Sequence, residues 1–101
     1  MSEDKLMVAK IIAQQLGKSA LFMLGAQNLV GDEKSLQFKI RGSDKFSHIK
    51  IELTSMDDYE VTFYKCVKYE ITNEEKVCGV YCDQLHQTIE RYTGLATSLN
   101  S

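Results

Sequence analysis

Leu6, Ala9, Ile12, Ala13 and Leu16 recur at spacings of three and four, and Met7 and Ile11 widen the stripe they draw. That period predicts an amphipathic helix over residues 3–16, with Gly17 placed to cap it in a left-handed conformation. The run Ser19-Ala-Leu-Phe-Met-Leu-Gly-Ala26 is nearly all apolar. Periodicity alone leaves it open as a buried helical turn or a short strand, and it is core in either case. From Lys34 the period changes to two. Leu36, Phe38 and Ile40 alternate with Gln37, Lys39 and Arg41, then Ile49, Ile51 and Leu53 alternate with His48, Lys50 and Glu52. With turn chemistry at Gly42-Ser-Asp-Lys45, residues 34–54 read as a hairpin of half-buried strands.

Met56-Asp57-Asp58 supplies the next turn. Val61, Phe63, Val67, Tyr69 and Ile71 then share one parity, which predicts a long third strand with Glu60, Thr62, Tyr64, Lys68 and Glu70 on the opposite face. Lys65 is the misfit on the apolar parity, and a bulge or a stem that snorkels from the sheet edge accounts for it. Asn73-Glu-Glu75 reads as a reversal into a short strand over 76–80. A closing helix carries Tyr81, Leu85, Ile89 and Tyr92 at helical spacing and ends at Gly94. The predicted fold class is α+β, an antiparallel sheet of three to four strands with an N-terminal and a C-terminal helix packed on its apolar face.

With 101 residues the chain has length for one domain, and 44% apolar with 26% charged residues is ordinary globular composition. The sequence has no proline, and no stretch reads as a linker or repeat. Three cysteines, an odd count, together with Glu3 and Asp4 in place of a basic leader, predict free thiols in a reducing compartment. The longest uncharged stretch, 19–31, contains Gln27 and Asn28 and is short of the ~20 apolar residues that cross a bilayer. The expectation is a cytoplasmic protein with no membrane partner.

Candidate chemistry is sparse. Cys78, Cys82 and His86 follow one another at intervals of four, and Cys66 could join them, but the knuckle pairs typical of structural zinc are missing. A helical wheel places Cys82 beside the Leu85/Ile89 stripe as a small core residue and His86 on the flank. His48 falls on the polar parity of its strand and reads as solvated. The sequence has no Gly-x-Ser-x-Gly turn, P-loop, His-Glu-x-x-His or Gly-x-Gly-x-x-Gly. Asp32-Glu33, Asp57-Asp58 and Glu74-Glu75 all fall in predicted turns, where acids serve local hydrogen bonding. The expectation is a protein that is not an enzyme and holds no cofactor.

Charge placement says more than the net charge of −2, because residues 34–50 carry +4 and the remainder −6. On the strand reading, Lys39, Arg41, His48 and Lys50 project to the outer sheet face, where Tyr64 joins them. Phosphate contacts plus base stacking on such a face are how single strands are held. Glu52, Glu60 and Glu70 dilute the same face, and a solvated mixed-charge surface is the plainer reading.

Leu-Gly-Ala-Gln-Asn-Leu-Val at 24–30, Ser-Leu-Gln-Phe at 35–38, Leu-Thr-Ser-Met-Asp-Asp-Tyr-Glu-Val-Thr-Phe-Tyr-Lys at 53–65, Gly-Val-Tyr-Cys-Asp-Gln-Leu at 79–85 and Tyr-Thr-Gly-Leu at 92–95 form a pattern. It resembles small accessory proteins of tailed bacteriophages and prophages, a family without an assigned activity. The resemblance implies a protein of the bacterial host cytoplasm with no catalytic residues to carry over. Read as structure, the signature places Gly25 and Gly79 at close backbone approaches. Two functions from different classes follow. One is binding to a host or phage protein, for instance as a defence-system inhibitor, with a nucleic-acid mimic built from Asp57, Asp58, Glu70, Glu74 and Glu75 as its sharper form. The other is single-stranded nucleic-acid binding through Lys39, Arg41, His48, Lys50 and Tyr64. An exposed edge strand or outer face also leaves room for a homodimer.

Overall fold

Ala9, Ile12, Leu16, Ala20 and Leu24 are the buried residues of a single helix, α1 (Met7–Leu24), in the computed structural model, which describes residues 7–42 and 45–95. The expected helix start at 3–6 and the turn residues Ser43 and Asp44 lie outside the described residues. At Gly17 the backbone leaves helical geometry, so the first helical segment of α1 ends where the spacing places its end and a second segment follows across a kink. Gly17 has φ 84° and ψ 157° there, a conformation that costs glycine little and that lets the apolar stripe continue through residues 18–24. The ambiguous run after Gly17 is therefore helical.

Gly25 turns the chain out of α1 with φ +66°, where an added Cβ would sit 3.0 Å from Cβ of Arg41. This close approach is the one the sequence suggests. Gly79, by contrast, has open space around it and marks a register shift in its strand, not a close approach.

Five strands follow in a meander ordered β1-β2-β3-β4-β5, all antiparallel: β1 (Gln27–Gly31), β2 (Ser35–Lys39), β3 (His48–Leu53), β4 (Tyr59–Val67) and β5 (Glu70–Val80). The expected hairpin is β2–β3, with Leu36 opposite Ile51 and Phe38 opposite Ile49. Two departures separate the predicted three to four strands from the five observed. β1 is short and irregular, with a register shift between Gln27 and Val30 and Asn28 at φ 54°, so it shows no alternation. The long third strand is in fact two, split by a two-residue turn at Lys68 and Tyr69, both with positive φ. Asn73, Glu74 and Glu75 lie inside β5, not in a turn. A register shift at Lys65/Cys66 accounts for the misfit lysine.

A 3-10 turn (Cys82–Gln84) leads into α2 (Leu85–Thr93), which ends at Gly94, where the expected cap donates its N–H to Glu90 O at 2.9 Å. The core lies between the two helices and one sheet face, with Phe38, Ile49, Ile51, Val61 and Phe63 packed against Ile12, Leu16, Leu85 and Ile89. Phe63 links two aromatic neighbours, Phe46 at 5.5 Å and Tyr92 at 5.0 Å between ring centroids, the latter stacked. Tyr59 ties the sheet to α1 by donating its hydroxyl to Gln15 Oε1 at 2.6 Å.

The Gly17 kink leaves the Leu16 carbonyl available, and His86 Nε2 lies 2.6 Å from it. A carbonyl only accepts, so Nε2 carries the proton. His86 is thus half-buried on the flank of α2 and joins α2 to α1, a contact the spacing does not announce. Among the described residues no helix is long and apolar enough to cross a membrane.

Candidate binding surface

The face of the sheet turned away from the helices is built by cross-strand neighbours. Lys39, His48, Tyr64 and Glu74 line up across β2 to β5, and Gln37, Lys50, Thr62 and Lys76 form the adjacent row. Glu52 opposite Glu60 begins a third. Four of the five predicted site residues, Lys39, His48, Lys50 and Tyr64, therefore share one face. Arg41 does not extend the row. It lies beyond the end of β2, where its N–H donates to Leu24 O at 2.9 Å and its side chain covers Gly25. With the Gln27 amide turned to satisfy both groups, Arg41 Nε donates to its oxygen at 3.0 Å.

His48 and Tyr64 are stacked, 4.8 Å between centroids and 4° from parallel. His48 is consequently half-buried, not the freely solvated side chain its parity suggests. Ser47 Oγ lies 2.7 Å from His48 Nδ1, and the same oxygen accepts the Cys66 N–H at 3.0 Å. Gln37 Nε2 donates to the Tyr64 hydroxyl. Burial, with the charge of Lys39 as a smaller contribution, holds the His48 imidazole below its ordinary pKa, and burial likewise raises Tyr64 above the usual phenol value.

The cations of this face are balanced by carboxylates. Lys50 Nζ lies 3.8 Å from Glu52 and Lys76 Nζ 3.2 Å from Glu60, the latter contact raising the Lys76 pKa. Lys39, Lys50 and Lys76 thus share this face with Glu52, Glu60 and Glu74, of which Glu60 and Glu74 come from strands outside residues 34–50.

Free thiols occur at Cys66, Cys78 and Cys82, the last two exposed. Cys82 is not a core residue, because α2 begins only at Leu85 and the helical wheel does not extend back to it. Cys78 Sγ reaches Glu60 Oε2 at 3.8 Å. Among the described residues no three His, Cys, Asp or Glu side chains gather as a metal site. The acidic residues of a nucleic-acid mimic are not brought together either. Asp57 and Asp58 precede β4 and Glu70 follows it, about 25 Å away by strand rise, while Glu74 and Glu75 point to opposite faces of β5.

What the alternation does not announce is the apolar surface left in solvent. Phe22 at the end of α1, Val30 on β1, and Tyr69 and Ile71 around the β4–β5 turn are each more than half exposed. The only sequence signal is negative: Tyr69 and Ile71 follow the parity of β4, yet no helix is available to cover that many inward positions.

Comparison of the chain with protein-family models, with curated proteins and with solved structures found no match.

Proposed function

We propose that this chain acts by binding another protein, of the host or of a phage, as an accessory factor in the cytoplasm of a bacterial host, and not by catalysis. The observation that carries this reading is the group of large apolar side chains exposed together at the β4–β5 turn, Tyr69 and Ile71 with Val67 beside them. Exposed apolar surface of this kind is what protein interfaces bury, with tyrosine and phenylalanine enriched at their centres. The phage resemblance of residues 24–95 supports the setting. Affinity capture from a bacterial lysate is expected to retain one protein in stoichiometric amount, and recovery of none overturns the reading.

Single-stranded nucleic-acid binding is the alternative, favoured by the placement of Lys39, His48, Lys50 and Tyr64 on one face. Against it, Tyr64 already stacks on His48, and two of the lysines on this face lie against glutamates. Titration of labelled oligonucleotides at low salt is expected to give no signal. Binding that falls steeply with salt and weakens in Lys39→Glu would reassign the function to this face.

A further inference from the structure

We propose that the free edge of β5 pairs with β5 of a second copy, antiparallel about a two-fold axis at Glu75, so that two five-stranded sheets join into one. This goes beyond the protein-binding reading above and does not depend on it.

The meander leaves both outer strands open, because β1 and β5 each pair on one side only. The two edges are not alike. β1 has five residues and a register shift, features that blunt an edge against further pairing. β5 has eleven residues and no proline, and between its own register shifts residues 73–77 pair in unbroken register with 61–65. Every second residue of that segment turns its N–H and C=O to the open side, where a further strand completes the ladder.

The charges on this edge are self-complementary. Residue 75 is the midpoint of β5, so pairing the whole strand with itself puts Glu74 opposite Lys76 of the second copy, and Lys76 opposite its Glu74, on the outer face of the sheet. Moving the axis by one residue either way sets Glu74 against Glu74 or Lys76 against Lys76. The full-length register is therefore also the one that charge favours.

On the helix side, Glu75 meets its own copy about 5 Å away across the axis. An inward charge ordinarily protects an edge from pairing. Here Arg91 of α2 lines the same cleft as Glu75, about 510 Å³ in volume, and each copy brings one guanidinium to the two carboxylates. Among the described residues, Glu74, Glu75 and Arg91 enter no ion pair within their own chain, whereas the dimer offers each of them an opposite charge. Lys76 keeps its own Glu60, 3.2 Å away. Space is available for the remaining inward side chains. Val77 of the second copy falls opposite Asn73, which lines the first cleft, and Asn73 of the second copy falls opposite Val77, which lines another of about 350 Å³ between β5 and α2. The apolar turn at Val67, Tyr69 and Ile71 lies outside the segment 73–77.

The test reads oligomeric state and register together. Sedimentation equilibrium of the wild-type chain is expected to show a dimer that dissociates on dilution. Glu74→Lys and Lys76→Glu each set like charges opposite one another twice, and each is expected to raise the dissociation constant about tenfold. The charge swap Glu74→Lys/Lys76→Glu is expected to restore the dimer, which a misfolded variant does not do. With Cys66, Cys78 and Cys82 replaced by serine, Glu75→Cys is expected to give a disulfide-linked dimer on oxidation, since residue 75 faces itself at the axis, and Asn73→Cys is expected not to. A wild-type chain that stays monomeric at every concentration, a swap that fails to restore the dimer, or equal crosslinking from positions 73 and 75 overturns the proposal. A monomer whose capture of a lysate protein is lost in Glu74→Lys assigns the edge to a foreign strand and also overturns it. Capture that survives in Glu74→Lys leaves the protein-binding reading standing whichever way the dimer is decided.

Discussion

His48 shows how a single side chain can satisfy its parity and still contradict the simplest reading of it. It points away from the core, as the alternation of β3 requires, but Tyr64 on the neighbouring strand stacks over it and leaves it half-buried. The native state therefore favours the neutral imidazole, and its pKa lies below the ordinary value. As pH falls through about 6.5, the unfolded chain takes up this proton before the folded chain does, so stability is lost towards acid. Urea midpoints measured from pH 7.5 down to 5.5 are expected to decline, and His48→Gln is expected to flatten that decline. An unchanged slope in the variant would show that the pH dependence arises elsewhere. Cys82 reveals the limit of the helical wheel: it precedes α2, in the 3-10 turn, so helical spacing does not govern where its side chain lies.

Elements with strong periodicity were legible. The β2–β3 hairpin, the first half of α1 and α2 with its Gly94 cap were all evident from spacing, because each buries one continuous stripe. β1 was not, since it pairs on one side only and its register shift destroys the alternation. The β4–β5 turn was hidden for a different reason. Lys68-Tyr69 carries none of the residue types that relieve a left-handed backbone, and the apolar parity of β4 runs straight through it. Each of these residues costs about 1 kcal/mol relative to a better suited one. Lys68→Asn/Tyr69→Gly is accordingly expected to stabilise the fold by ~1–2 kcal/mol, a rise of several degrees in Tm for a domain of this length. A lower melting temperature would mean that the tip makes stabilising contacts and is not held in solvent.

At the scale of the whole molecule, the strand order sets lysines and carboxylates side by side on the outer face of the sheet, Lys50 beside Glu52 and Lys76 beside Glu60. The positive hairpin shares its outer face with Glu60 of β4 and Glu74 of β5, a neighbourhood that only the sheet order reveals. The same strand order has a consequence for the route by which the chain reaches its structure. A meander forms each sheet contact between sequence neighbours, so little loop entropy opposes the early steps, and folding is expected in the fast range for mixed α/β domains. The His86–Leu16 hydrogen bond is different, because it joins residues 70 positions apart and closes one end of the chain onto the other. A contact of that span is expected to form after the rate-limiting barrier. Its removal in His86→Leu, worth about 1 kcal/mol, is expected to quicken unfolding about fivefold and to leave the refolding rate nearly unchanged in stopped-flow measurements. Equal effects on both rates would place the meeting of the two helices within the folding nucleus. In the expected case the clasp governs how long the folded molecule persists, and has little influence on how quickly it forms.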